Sequence, residues 1–296
     1  MSRPLPAPGI YFAAPACPKP IWLIWTKKTA GGPRTSCYIR WDTMHLNTKG
    51  LVIRTVDWRD SDRLLTVMTE DYGKITVKAQ GIRRRGSRFG AAGQLFAYCD
   101  FTLYERGGRM TLQDAQVVQQ FFRLSEDLDA LALASYFCEL LATEGEEDVP
   151  VPGLLRLALN SLYALANHVS QRELVKAAFE LRFLAIVGYE PDLWRCASCG
   201  AEPQEPQVNL QAGQLHCAKC RAAFRQGVSM PLSRAALQAA RYILRCDLKK
   251  LFSWSIPAED LALLGAFTEN YCLVRLERGF KTLDFYKSLQ EGGLYT

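Results

Sequence analysis

The stretch KITVKAQGIRRRGSRFG, residues 74–90, decides the N-terminal fold. Over its first seven residues, polar and apolar side chains alternate. This is the pattern of a strand with one buried face, since successive side chains of a strand point to opposite sides. Lys74 and Lys78 share the polar face, and the residues that follow are arginines spaced by glycine and serine. The stretch therefore predicts a half-buried strand that leads into a cationic loop.

Similar alternation extends over residues 50–121 and indicates five strands. The predicted strands are Gly50–Trp58, Arg63–Thr69, Lys74–Gln80, Gln94–Glu105 and Arg109–Gln116. The sequence Arg-Gly-Gly at 106–108 is typical of a hairpin turn, because glycine adopts the positive φ that such turns need. Five strands in about 75 residues predict a small closed barrel, with the oligonucleotide-binding (OB) fold as the leading candidate.

Past residue 123, the apolar residues recur with the period of helices. The predicted helices are one that Ser125 caps, then Leu154–Val169, Gln171–Val187, Arg234–Cys246, Ala258–Arg278 and Lys281–Leu289. Ser170 and Glu173 form a capping-box sequence before the third helix, and Gly188 is placed to end it. Ser233 is predicted to cap the fourth helix and Gly279 to close the fifth.

Two pairs of cysteines lie between the third and fourth predicted helices. Cys196 and Cys199 form one Cys-x-x-Cys pair, and Cys217 and Cys220 form a second after seventeen intervening residues. A two-residue gap lets one tight turn aim both sulfurs at a tetrahedral zinc ion. We predict one structural zinc site, since four thiolates leave no position open for water. The alternatives are unligated thiols, two disulfides, or His216 in place of one thiolate; the intervening span has room for a short hairpin.

The fold class is therefore α+β and multidomain, with an N-terminal five-stranded OB-fold barrel and an all-helical domain that carries an inserted four-cysteine zinc-binding segment. We predict an OB-fold domain over 44–123, a helical domain over 124–191 and 228–296, and the zinc-binding insertion over 192–227. The proline-rich residues 1–43 are predicted to be a disordered or non-native extension that precedes a natural start at Met44. The competing interpretation is a basic arm that binds nucleic acid.

The surplus of positive over negative charge is confined to the N-terminal part of the chain. The net charge is +6, yet residues 1–43 and 44–123 each carry a surplus of five cations, and residues 124–296 carry a surplus of four acids. This asymmetry indicates a polyanion-binding module joined to an acidic body. No stretch reaches about 18 uninterrupted apolar residues, so no membrane span is predicted. The six cysteines outside the two pairs are scattered, which favours a reducing, cytoplasmic compartment.

The cationic loop is the leading candidate for a DNA-binding site, because guanidinium groups fork onto phosphate oxygens. The candidate DNA-binding residues are Lys74, Lys78, Arg83, Arg84, Arg85, Arg88, Phe89, Arg106 and Arg109. Phe89 is included because its neighbours are polar or glycine, a setting in which an aromatic ring can stack on a base. A solvated surface loop is the alternative interpretation.

Three aromatic residues, Phe96, Tyr98 and Tyr104, are predicted to lie on the outer face of the fourth strand. There they would either stack on unpaired bases or be covered by the helical domain. No residue is predicted to be catalytic, because the chain has only three histidines and lacks the phosphate-cradling and His-Glu-x-x-His motifs. The acids at 57–62 alternate with arginines, which predicts a turn network between two strands and argues against a magnesium site.

Several ordered stretches resemble the bacterial recombination mediator family RecO. They are GLVIRTV at 50–56, DRLLTVMT at 62–69, GKITVKAQG at 73–81, RFG at 88–90, and the four-cysteine insertion after GYEP at 188–191. The similarity covers about residues 46–290 and leaves 1–43 outside. The resemblance implies the OB domain, helical domain and zinc-binding segment in this order.

The resemblance also implies a non-enzymatic protein that binds single- and double-stranded DNA and anneals complementary strands. Such a protein helps to place RecA on strands coated by single-strand binding protein (SSB). The implied partners are RecR, the SSB C-terminal tail and RecF, at the bacterial nucleoid in the cytoplasm. The alternatives are a nuclease-like enzyme with a structural zinc ribbon and an adaptor that binds acidic tails through its basic surface.

Overall fold

A computed structural model describes residues 44–143, 149–223 and 227–292. The strands are β1 (Met44–Trp58), β2 (Asp62–Thr69), β3 (Lys74–Ala79), β4 (Tyr98–Arg106), β5 (Arg109–Gln119), β6 (Pro206–Asn209), β7 (Gln214–Cys217) and β8 (Ser229–Pro231). The α-helices are α1 (Leu128–Thr143), α2 (Leu154–Ala166), α3 (Arg172–Ile186), α4 (Arg234–Arg245), α5 (Ala258–Leu276) and α6 (Lys281–Gly292). The predicted extension over 1–43 lies outside the described residues.

The first five strands form a closed barrel in the order β1-β2-β3-β5-β4, and β4 pairs with β1 to complete the ring. All pairs are antiparallel except β3 and β5, which run parallel with Val77 opposite Met110. The interior is filled by alternate side chains such as Val77, Phe101 and Leu103. The five strands predicted from the alternation are therefore confirmed, and the Arg-Gly-Gly turn joins β4 to β5 as expected.

Two strand boundaries differ from the prediction by four residues or more. β1 begins six residues earlier, at Met44, because its first half pairs with β4. β4 begins at Tyr98, four residues later than predicted, because Phe96 adopts a positive φ of 64°. The turn at Phe96 directs its ring out of the barrel and into the apolar core of the helices. Leu95, just before this turn, is 37% exposed.

The helices share one apolar core, and the barrel packs directly on it. The stacked rings of Phe137 and Phe179, with centroids 3.9 Å apart, lie in this core. Leu51, Ile53 and Phe96 of the barrel are buried in the same cluster. Barrel and helices are therefore held together by continuous apolar packing. No helix in the described part of the chain is both long and apolar enough to cross a membrane.

The helix ends confirm two predicted caps. Ser233 accepts a hydrogen bond from the backbone N–H of Ala236 and caps α4. Gly188, with φ 95°, follows the last turn of α3. The end of α5 differs from the prediction, because Glu277 itself adopts a positive φ of 53° and ends the helix two residues early.

The predicted caps of α1 and α3 are wrong. Asp127, and not Ser125, caps α1, because its carboxylate accepts hydrogen bonds from the backbone N–H groups of Asp129 and Ala130. α3 begins after Gln171 without a side-chain cap, so the capping box at 170–173 does not form. Arg172 in the first turn of α3 pairs instead with Asp127 and Asp129, which ties the starts of the two helices together.

The cysteine segment, which is the predicted insertion over 192–227 and its flanking strand, contains a small antiparallel sheet in the order β7-β6-β8. The β6–β7 hairpin occupies the span between the two cysteine pairs, as the sequence allowed, and Gly213 supplies its positive φ. β8 lies after the second pair and was not predicted. Leu193, Val208 and Leu215 are fully buried in the helical core. The segment is therefore packed against the helices.

Candidate nucleic-acid interface and metal centre

The cationic loop, residues 80–97, is attached to the turn between β1 and β2 by Asp62. One oxygen of the Asp62 carboxylate accepts a hydrogen bond from the backbone N–H of Gly81 at 2.8 Å. The other lies 3.6 Å from the ammonium of Lys78. The Gly81 hydrogen bond, assisted by the charge of Lys78, lowers the pKa of Asp62. The loop therefore begins at a fixed position beside Lys78.

A second carboxylate, that of Asp57, contacts an arginine near the start of the loop. It forms ion pairs with Arg63 at 2.9 Å and with Arg83 at 3.4 Å. The guanidinium of Arg63 also donates to the carbonyl oxygen of Gly93 at 2.9 Å, near the end of the loop. Asp57 and Asp62 thus form the predicted turn network, and this network fixes Arg83 and the loop backbone at Gly81.

The arginines at the loop tip differ in how firmly they are held. Arg84 and Arg85 are exposed, and among the described residues neither side chain forms an ion pair. Arg88 donates to the carbonyl oxygen of Gln113 on β5 at 3.3 Å, and its guanidinium lies 4.4 Å from the ring centroid of Phe89. Phe89 is half-buried against the barrel core, so Arg88 already covers one side of its ring.

Lys74 lies apart from this cluster. Its ammonium donates to the carbonyl oxygen of Ala142 at 3.0 Å, in the last turn of α1, where a cation is favoured by the helix dipole. Lys74 and Lys78 therefore share a strand face, but their contacts differ. Lys78 faces the cationic loop, whereas Lys74 joins the barrel to the helices.

The β4–β5 turn carries the remaining candidate cations. Arg106 and Arg109 face each other across the turn and are both exposed. Gly107 and Gly108 both have positive φ, the geometry of a tight two-residue hairpin turn. The turn leads directly into the start of β5, which pairs with β3. The structure thus places these two cations on the same barrel as the loop, at a separate turn.

Sequence reasoning missed Trp58, which is 46% exposed at the end of β1 beside the Asp57 network. On the same face, Val56 pairs with Leu64 of β2, and Leu64 pairs with Lys78 of β3. An apolar strip thus crosses β1 and β2 and meets Lys78 on β3. The signal in the sequence was the alternation of Val56 and Trp58 with polar neighbours in a strand that is not fully covered.

The three outer aromatic residues of the fourth predicted strand separate into two groups. Phe96 is buried and Tyr98 packs against the helical core, so the helices cover both, as the alternative interpretation held. Tyr104 is half-buried, and its ring lies 5.6 Å from that of His45 on β1. These rings therefore do not form one continuous stacking face.

The four predicted metal ligands converge in the cysteine segment. The sulfur atoms of Cys196, Cys199, Cys217 and Cys220 all lie within 4.8 Å of one another. The distance from Cys199 Sγ to Cys217 Sγ is 3.7 Å, close to the edge of about 3.8 Å that zinc–sulfur bonds of about 2.3 Å give a tetrahedron. All four are free thiols, so the two-disulfide alternative is wrong. The donor set and spacing fit a thiolate-binding metal ion.

Three thiols of the cluster differ in pKa. Burial opposes ionisation of Cys196, but hydrogen bonds from the backbone N–H groups of residues 198, 199 and 217 outweigh it and lower its pKa to about 6. For Cys217, burial and the neighbouring thiols raise the pKa to about 12. For Cys220, a hydrogen bond with Cys199 and, to a smaller extent, burial raise the pKa to about 11. A bound divalent cation would favour ionisation of all four.

His216 does not join the cluster. Its ring is buried, with Nε2 3.0 Å from the hydroxyl of Ser229 and Nδ1 3.2 Å from the carbonyl oxygen of Cys217. Replacement of a thiolate by His216 is therefore not what the geometry supports. The ring instead connects β7 to β8, next to the second cysteine pair.

Arg241 of α4 fixes the cysteine segment to the helices, a role that the sequence did not indicate. Its guanidinium donates to the carbonyl oxygens of Leu193 and Trp194 at 2.8 and 2.9 Å. It also forms an ion pair with Glu202 at 2.8 Å, which lowers the pKa of that carboxyl. The first cysteine pair therefore lies, along the chain, between residues 193–194 and Glu202, all of which Arg241 contacts.

Comparison with known proteins identifies one family over nearly all of the described chain. A family model described as "Recombination protein O N terminal" matches residues 44–121, and one described as "Recombination protein O C terminal" matches residues 125–284. A "DNA repair protein RecO" of Acetivibrio thermocellus is 31% identical over 247 residues, which cover 83% of this chain and 97% of the relative.

Two further relatives agree. A "DNA repair protein RecO" of Desulforudis audaxviator is 34% identical over 244 residues, which cover 82% of this chain and 96% of the relative. One of Symbiobacterium thermophilum is 30% identical over 249 residues, which cover 82% of this chain and 97% of the relative. The family models and these full-length similarities lead to one conclusion: the chain belongs to the recombination protein O (RecO) family.

Proposed function

We propose that this protein is a non-enzymatic mediator of DNA repair and recombination that binds single- and double-stranded DNA and anneals complementary strands. The observation that carries the proposal is the anchored cationic loop. Two carboxylates, Asp57 and Asp62, hold its backbone and Arg83, while Arg84 and Arg85 remain exposed. Membership of a family whose relatives are named DNA repair proteins supports the same role.

We also infer that the barrel, in a domain over 44–123, is an OB fold. Its strand order β1-β2-β3-β5-β4, with closure of β4 on β1, agrees with this fold. OB folds bind oligonucleotides across strands 2 and 3 and through the β1–β2 and β4–β5 turns. In this chain those positions carry Trp58, Lys78, Arg106 and Arg109. Three of the predicted DNA-binding residues, Lys78, Arg106 and Arg109, therefore support this inference, whereas Lys74 contacts α1.

Annealing follows from the charge of this surface. Two complementary strands repel each other through their phosphates, and exposed arginines neutralise phosphates of both strands at once. The bases can then pair, because pairing needs no contact from the protein. Binding of this kind is largely independent of sequence and weakens steeply as salt rises.

The other parts of the proposal concern the metal and the partners. We propose that the four cysteines hold one structural Zn²⁺, which would stabilise the segment and supply no reactive position. We propose that the protein acts in the bacterial cytoplasm at the nucleoid, with RecR, the SSB C-terminal tail and RecF, and that it assists loading of RecA on SSB-coated strands. Family membership supports these partners, and the described surface supports a role for DNA.

The test is a salt-titrated binding and annealing assay on the full chain. Replacement of Arg83, Arg84, Arg85 and Arg88 by Ala is expected to weaken binding of single strands at least roughly tenfold at low salt and to lessen the salt dependence. Replacement of the same four residues by Lys is the matched control, because it keeps the charges, and most of the affinity should remain. Unchanged affinity in the Ala variant would refute the loop as the DNA site.

The same assay addresses the enzymatic alternative. With Mg²⁺ or Mn²⁺ present, the proposed mediator leaves the strands paired and uncut. Cleavage that persists through purification, and that a substitution in this chain abolishes, would replace the mediator role by a nuclease-like one. Loading of RecA on SSB-coated strands, with and without RecR, then measures the partner-dependent part of the proposal.

A further inference from the structure

An apolar cleft of about 550 Å³ opens where the cationic loop meets the segment that leads from β5 to α1. One wall is formed by the end of the loop at residues 90–96, and the other by residues 120–122. The side-chain amide of Gln120 donates to the carbonyl oxygen of Ala91 at 2.8 Å and joins the two walls. The cleft is therefore a defined feature of the barrel–helix junction, and none of the predicted DNA-binding residues lines it.

Phe122 stands at the mouth of this cleft and is 70% exposed. Phe121 beside it is buried in the helical core, and the backbone N–H of Leu124 donates to the carbonyl oxygen of Phe121 at 3.1 Å. The backbone that carries the exposed ring is thus held in place. Leu95, another lining residue of the cleft, is 37% exposed, and exposed apolar groups that cluster in this way commonly mark a binding surface.

The charges around the cleft indicate what it binds. No lysine or arginine lines it; its polar groups are the uncharged side chains of Gln94, Gln120 and Ser125. Arg88 of the cationic loop precedes the cleft wall at Gly90 by two residues. A ligand that fits has flat, uncharged groups for the cleft and anionic groups for the loop. Unpaired nucleic acid has this alternation, whereas a peptide carboxylate would need a cation inside the cleft.

We propose that this cleft is a base-binding subsite, in which an unpaired base stacks on Phe122 while neighbouring phosphates lie on the cationic loop. The inference rests on the proposed DNA-binding function, because the loop must first hold the strand. It adds a site that recognises the bases of single strands, where the arginines of the loop recognise only phosphates. A stacked aromatic ring of this kind changes affinity by about five- to a hundredfold when it is removed.

The test compares two probes that carry the same number of phosphates: an oligodeoxythymidylate and an abasic oligodeoxynucleotide of equal length. With the full chain, Phe122→Ala is expected to bind the oligodeoxythymidylate about five- to a hundredfold more weakly and the abasic probe unchanged. Phe122→Tyr, which keeps an aromatic ring, is the matched control and should restore base-dependent binding. Because the ring is largely exposed, the variants should unfold at the wild-type temperature.

The outcomes separate this inference from the proposed function. If Phe122→Ala binds both probes as the wild type does, while the arginine-to-alanine variant loses both, the DNA-binding function stands and the subsite is overturned. Equal losses on both probes also overturn it, because the effect would not depend on bases. If the wild type binds neither probe, the proposed function fails as well. The subsite is likewise overturned if Phe122→Ala loses an acidic peptide with apolar side chains but keeps the oligodeoxythymidylate.

Discussion

The carboxylate of Asp62 accepts a hydrogen bond from the backbone N–H of Gly81 at 2.8 Å and thereby ties the first residues of the cationic loop to the start of β2. The same carboxylate faces Lys78, so that one acid orients both the loop and a neighbouring cation. An acid inside a basic surface usually weakens attraction for phosphates. Here it has a structural use, because it sets where the arginines begin.

The first prediction concerns pH and Asp62. Its pKa is lowered in the folded state, so its contribution to stability is present above the unfolded pKa of about 3.9 and is lost as pH falls through the folded value. Asp62→Asn keeps an oxygen acceptor and removes the charge. We expect the wild type to unfold at a higher urea concentration than this variant at neutral pH, with a difference that shrinks below about pH 4. A difference that stays constant down to about pH 3 would contradict the role of the charge.

The second prediction separates two cations that the sequence treats alike. Lys74→Ala removes a cation from the C-terminal turn of α1 and should lower the free energy of unfolding by about 1 kcal/mol, with little change in DNA affinity. Arg85→Ala should leave stability unchanged and reduce the salt slope of single-strand binding by about 0.7. Urea unfolding and salt-titrated binding of both variants measure the contrast. Equal loss of affinity in the two variants would argue against it.

The third prediction concerns the metal. Cys196→Ser should lose bound zinc and lower the melting temperature, because the binding energy of a structural metal contributes to folding. Cys246→Ser is the control, since Cys246 lies outside the cluster. This variant should keep one zinc per chain. Zinc content and thermal unfolding are measured on the same samples. A zinc-free Cys196→Ser protein with the wild-type melting curve would show that the metal does not support this fold.

The fourth prediction concerns a buried charge network in the helical body. Glu180 is fully buried and bonds to Tyr136, Thr268 and Lys176. Lys176 also pairs with Glu269 at 2.8 Å. Lys176→Met should cost about 3–5 kcal/mol in unfolding free energy, because it leaves the Glu180 carboxylate buried without its cation.

A second substitution tests the cause of that loss. Adding Glu180→Gln to Lys176→Met removes the uncompensated charge, so the double variant should recover part of the lost stability. Denaturant unfolding of the single and double variants measures the coupling between the two residues. If the losses simply add, the stability of the pair does not depend on charge compensation.

Local chemistry made several features of this protein readable from the sequence. The Cys-x-x-Cys spacing depends on short-range geometry, and the four sulfur atoms do converge. The alternation at 74–80 depends only on the two faces of a strand, and Ile75 and Val77 are buried as it predicts. The run of arginines is a property of composition. These features need no knowledge of what lies across the fold.

The tertiary structure alone decided which of the patterned residues are available to a ligand. Lys74 and Lys78 share a face, yet only Lys74 meets α1, through Ala142, sixty-eight residues later in the chain. Phe96 turns into the helical core, while Phe122 remains exposed at a cleft. Strand alternation determines the side on which a group lies. What covers that side depends on packing between segments far apart in sequence, because apolar surfaces are buried wherever distant elements fit together.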